Sequence, residues 1–155
     1  MSDQEIINEL VEIYRELNMQ LRGQDLIAIK DSKADNGETL EQILKRMRDR
    51  EYLGSQVIKL MSLGTQQAGR VELQDASVLD ELVATGVTPI IMLSQYGTAR
   101  EATLSLVRTM SEEAWDQEHD TPEGRMSIRE YCRTLINADR EDQKLLNQLV
   151  EKAPA

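Results

Sequence analysis

The chain has 155 residues, 40% hydrophobic and 30% charged, which suits one folded domain with its own core and excludes a disordered polymer. Its net charge of −10 argues against nucleic acid and anionic membrane as partners, since both need a basic surface. A single Cys and a single His exclude an intrachain disulfide and a Cys/His zinc cage, and no apolar run approaches the roughly 18 residues of a membrane span. The acidic start, MSDQEIINEL, lacks the apolar region of a signal peptide, so the expected location is cytoplasmic.

Four segments carry helical periodicity. In the first, Ile6, Ile7, Leu10, Val11, Tyr14, Leu17 and Leu21 recur at three- and four-residue spacing, with Ser2 or Asp3 as cap and Gly23 as stop. The second starts after Thr39, carries Leu40, Ile43, Leu44, Met47, Val57, Ile58 and Met61, and ends at Gly64. Residues 65–88 read as a long connection with a short helix around Ser77–Ala84. The third helix follows Thr88-Pro89 and shows Ile90, Ile91, Leu93, Tyr96, Leu104, Val107 and Met110. The fourth runs from Ser127 to about Glu151, with Ser127 and Glu130 in capping-box spacing. No stretch alternates as a strand. The expected fold is all-α: one domain over 1–155, a four-helix bundle with a long crossover between its second and third helices.

The two halves look alike. Thr39 and Ser127 match as caps, and Leu40, Ile43, Leu44 and Met47 match Ile128, Tyr131, Cys132 and Leu135. A duplicated helical pair and the chance likeness of two capped amphipathic helices both account for this.

The segment 103–149, with Met110-Ser111-Glu112-Glu113-Ala114-Trp115, then Pro122-Glu123-Gly124 and a Ser-capped last helix, resembles the second half of DinB/YfiT-like proteins. Thr39-Leu40-Glu41-Gln42-Ile43-Leu44 fits the capped second helix of that family. The resemblance implies a four-helix bundle and a homodimer. In many members it also implies a divalent metal on three histidines, one on the second helix and two on the last. Some members use low-molecular-weight thiols as cosubstrates. Counted from the caps, those histidine positions hold Arg46, Ala138 and Asp142 here. Arg has no lone pair to offer and Ala no donor atom, so the family's metal site is expected to be missing and no cofactor is expected.

Where relatives hold the ion, the apolar faces of this chain turn polar. Asp139 and Asp142 interrupt the last helix, Arg46, Arg50 and Glu51 the second, and Arg100 the third. One reading is a buried ion-pair cluster, with Arg46–Asp142 as its central pair. A second is a solvated helix face. A third is an oxygen-ligand site for Mg²⁺ or Ca²⁺ built from Glu51, Asp139 and Asp142. Trp115 reads as an anchor for the exit of the third helix, Cys132 as a small buried hydrophobe, and His119 as an exposed loop residue. No glycine-rich phosphate loop is present. The expected function is that of a non-catalytic homodimer, structural or binding a small molecule in a pocket between helices two, three and four. The alternative is a divergent thiol-dependent transferase or metal-dependent hydrolase.

Overall fold

The computed structural model describes residues 1–65, 67–71 and 88–153. Four long helices dominate it: α1 (Asp3–Arg22), α2 (Leu40–Ser62), α3 (Thr88–Val107) and α5 (Ile128–Glu151). A 3₁₀ turn at Ala68–Arg70, a short helix α4 (Glu112–Asp116) and two strands, β1 (Glu118–Thr121) and β2 (Gly124–Ser127), complete the described elements. The short helix expected at 77–84 lies outside the described residues, and Thr88, expected as the cap of the third helix, is its first residue.

Local chemistry sets the ends. Ser2 accepts from the Glu5 amide while Glu5 returns to the Ser2 amide, and Thr39 and Gln42 do the same for α2. Ser127 Oγ accepts from the Glu130 amide at 3.1 Å, half of such a box. Gly64, just past α2, has φ +70°, a left-handed value that glycine adopts without steric cost.

α1 packs on α3 and α5, and α2 packs on the same two helices. Consecutive helices α1 and α2 therefore lie across the bundle from each other, as do α3 and α5. Each half of the chain contributes a diagonal pair, not a side-by-side hairpin. Both halves also share a detail: the cap of the second helix is bridged to an upstream residue, Thr39 to Lys33 and Ser127 to Glu118.

The core is aliphatic. Ile6, Leu10, Ile13, Leu17 and Leu21 of α1 meet Leu40, Ile43, Leu44, Met47, Val57 and Ile58 of α2 and Leu146 and Leu149 of α5 in one continuous cluster. Trp115 is buried and lies under the Arg129 guanidinium, 5.6 Å from its ring centre, which ties α4 to the start of α5. Ile90, expected on the core face of α3, is 48% exposed.

The hairpin corrects the expectation that no strand forms. Its sequence, EHDTPEGRMS, gives no apolar alternation because both faces are largely solvated, so the usual strand signal is missing. Pairing depends instead on the two-residue Pro122-Glu123 turn, on Gly124 at φ +111°, and on Thr121 Oγ1, which donates to the Gly124 carbonyl at 2.6 Å. His119, in β1, is half-buried and not fully exposed.

Tyr14 seats against the backbone of α3 at Gly97, with its ring edge-on to Tyr96 at 6.0 Å. A Cβ at Gly97 would lie 2.1 Å from the Tyr14 hydroxyl. Gly97→Ala is expected to lose about 1–3 kcal/mol in urea denaturation despite the better helix propensity of alanine. Tyr14→Leu should recover part of that loss; a neutral Gly97→Ala would contradict this packing.

Candidate functional site

The charged residues at mid-bundle form one connected network. Its centre is Arg100 on α3, fully buried. Arg100 Nε donates to Glu51 Oε1 and Nη2 to Glu51 Oε2, both at 2.9 Å, a two-pronged fork onto α2. Nη2 also reaches Asp139 Oδ2 on α5, and Nη1 donates to the Leu10 carbonyl of α1 at 2.7 Å. The guanidinium carbon lies 5.2 Å from the centre of the Tyr96 ring.

The remaining donors complete the carboxylates. The Thr103 hydroxyl donates to Glu51 Oε1 at 2.9 Å and the Tyr96 hydroxyl to Asp139 Oδ2 at 2.8 Å. Arg50 Nη2 bridges Asp139 Oδ1 and Asp142 Oδ2, each at 2.7 Å. Arg46 Nη2 meets Asp142 Oδ1 at 2.7 Å, and its Nη1 reaches Glu38 Oε2. Every oxygen of Glu51, Asp139 and Asp142 thus accepts at least one hydrogen bond. A buried carboxylate is costly unless it is satisfied in this way.

Burial falls off from Arg100 toward solvent. The Asp142 side chain is 7% exposed and that of Arg46 38%. Arg46–Asp142, expected as the central pair, is therefore the outer end; the centre is Arg100–Glu51–Asp139. The reason lies in the α2 register, which turns Glu51 inward and Arg46 toward the surface. Burial pulls the Arg100 guanidinium down, yet Glu51 and Asp139 together hold its pKa well above the ordinary value. The Glu38 carboxyl is held below the usual range, first by its bond to Arg46, with burial opposing. Burial pushes Tyr96 well up, and Cys132 to about 12, which leaves that thiol protonated and unreactive at neutral pH.

All six expected residues (Arg46, Arg50, Glu51, Arg100, Asp139 and Asp142) lie in this one network. The sequence reading missed Glu38, Tyr96 and Thr103 of this network, and the buried Arg48 beside it. Tyr96 and Thr103 stand four before and three after Arg100 on α3, so helical spacing from Arg100 would have found them. Arg48 continues the row Leu44–Arg48–Glu51, is fully buried, and bonds Asp49 Oδ1 at 2.9 Å and Gln95 Oε1 at 3.1 Å. Arg140, adjacent to Asp139, turns the other way and pairs with Glu9 and Glu16 of α1. The network lies between α2, α3 and α5. Beside it, residues Gln42, Lys45, Arg46, Asp49, Arg50 and Leu53 of α2 line an open groove of about 520 Å³.

Neither a family model nor a curated protein matches the sequence. Solved structures do. Two crystal structures of a mycothiol-dependent maleylpyruvate isomerase, one of them a point mutant, superpose with a TM-score of 0.69 at 15% identity over 100% of this chain. The fold is DinB-like. The chain spans 62% of the length of those isomerase chains, and a likeness at 15% identity concerns the fold.

A DinB-like fold raises the matter of a divalent ion. Among the described residues no three His, Cys, Asp or Glu side chains gather as ligands. Of Arg46, Ala138 and Asp142, the positions the resemblance singles out, only Asp142 could ligate, and its oxygens already accept N–H groups from Arg46 and Arg50. The Glu51, Asp139 and Asp142 oxygens that an Mg²⁺ or Ca²⁺ site would use face guanidinium groups instead. This donor set does not fit a cation. Also among the described residues, no helix is long and apolar enough to cross a membrane.

Glu51→Ala, which strands the Arg100 charge, is expected to cost about 3–5 kcal/mol in denaturant unfolding. Arg46→Ala, at the solvated end, should cost about 1 kcal/mol. Equal losses would contradict the inward gradient.

Proposed function

We propose that this chain is a DinB-like protein that works without a divalent ion, as a homodimer that binds a small molecule and does not catalyse metal-dependent chemistry. The observation that carries the reading is the saturation of the three buried carboxylates by Arg46, Arg50 and Arg100. Three fixed guanidinium groups do the electrostatic work that a bound cation does in a metal-dependent bundle, and a cation entering there would meet their positive charge. The dimer rests on the resemblance to the DinB/YfiT-like family, and the ligand on the open groove at the outer end of the network.

The test is metal analysis of protein purified without chelator, alongside thermal melts with EDTA and with added Zn²⁺ or Ni²⁺. The reading expects far less than one metal per chain and the same Tm in all conditions. Stoichiometric metal, or a Tm that falls with EDTA, would overturn it.

A second reading, a thiol-dependent transferase, is favoured by the mycothiol-dependent isomerase among the structures with this fold. Cys132 is buried, so the thiol in that reaction would come from a cosubstrate.

A further inference from the structure

Asn36-Gly37 is the one Asn-Gly pair of the chain, and it lies where its chemistry is open to water. Of the five asparagines, Asn8 and Asn18 belong to α1 and Asn137 and Asn147 to α5. Each of those four is followed by a residue with a Cβ, whose amide is held in the helical ladder. Asn36 and Gly37 instead stand in an exposed turn between α1 and α2, and Gly37, at φ +87°, carries no side chain to shield its amide nitrogen. Two backbone bonds of 2.8 Å close that turn, from Ala34 N–H to the Glu38 carbonyl and from Gly37 N–H to the Ala34 carbonyl. The Asn36 side chain is held as well. Its Oδ1 accepts from the Glu38 amide at 3.1 Å, and its Nδ2 donates to Glu38 Oε1. The other oxygen of that carboxylate, Oε2, accepts from Arg46, so one side chain joins the turn to the outer end of the network.

We propose that Asn36 is a modification site, at which the chain converts its own asparagine to aspartate or isoaspartate, and that Glu38 is the positioning residue that sets the rate. The Gly37 nitrogen attacks Asn36 Cγ. The N–Cγ bond forms, the Cγ–Nδ2 bond breaks, and ammonia leaves with the proton of the Gly37 amide. Water then opens the cyclic imide at either of its carbonyls, giving aspartate or isoaspartate. Ring closure requires the Gly37 N–H to leave Ala34 and the Asn36 amide to turn away from Glu38. Glu38 is thus a latch on the reaction, and Arg46 fixes the latch. Either product puts a negative charge beside Glu38 in place of a donor. Isoaspartate also lengthens the main chain inside a turn that two bonds close. The modification therefore acts on the end of the network that meets solvent.

The experiment is peptide mapping by mass spectrometry, with isoaspartate detection, on the full chain held in mildly alkaline buffer, native and unfolded in urea. Asn36 is expected to convert ahead of the other four asparagines, and more slowly in the native chain than in urea. Glu38→Ala changes a side chain outside the Arg100–Glu51–Asp139 centre, so the fold should hold; it is expected to speed native conversion about five- to tenfold, the effect of losing about one hydrogen bond. Glu38→Gln, which keeps an acceptor for Asn36 Nδ2, is expected to recover most of the protection. Earlier conversion at another asparagine, equal rates in the native and unfolded chains, an unchanged rate in Glu38→Ala, or Glu38→Gln as fast as Glu38→Ala would each overturn the proposal.

Discussion

One guanidinium is bonded to every other long helix of the bundle. Arg100 projects from α3 and reaches Glu51 on α2, Asp139 on α5 and the Leu10 carbonyl on α1. An aliphatic core of Leu, Ile and Val is tolerant of rotation and slippage, since many arrangements bury similar area. A buried charge is not tolerant. It must find its partners at hydrogen-bond distance or pay several kcal/mol of desolvation. Arg100 therefore acts on register and rotation: only one placement of the four helices supplies all of its acceptors. An apolar substitute of similar volume could match its net stability, so its effect lies in specifying the arrangement.

From that centre the network runs outward through Asp139 to Arg50 and Asp142 and on to Arg46 and Glu38, from side chains at most 1% exposed at Arg100, Glu51 and Asp139 to 38% at Arg46. The inner end is dry, where Coulomb interactions are strong and little screened, and the outer end is wet, where they are weak. The inner charges fix the bundle; the outer ones border the groove on α2. Arg50 belongs to both ends, holding Asp139 and Asp142 with one nitrogen while its Nε stays unpaired.

The helices were legible because each signals in its own way. The α5 boundaries follow from Ser127 as cap and from its strong apolar stripe, and α2 from the Thr39–Gln42 box. Polar interruptions of those stripes marked the network, since a helix seldom places Asp139 and Asp142 on its apolar face without partners for them. The identity of the central pair was not legible. Arg46 and Arg100 look alike in sequence, and only the turn of α2 against α3 decides which one is buried. Arg48 was missed because α2 buries a wide arc, packed on both α3 and α5, so a charged residue between apolar positions gave no break in the pattern. The hairpin was missed because its order comes from turn chemistry at Pro122, Glu123 and Gly124.

The most direct test is a double-mutant cycle on Arg100→Met and Glu51→Leu, read by urea denaturation. If buried charges specify the bundle interior, each single variant strands its partner, and the double variant is more stable than either, with a coupling of about 2–3 kcal/mol. Losses that add to within about 0.5 kcal/mol would mean that the two side chains are independent and that the interior is not organised by this pair.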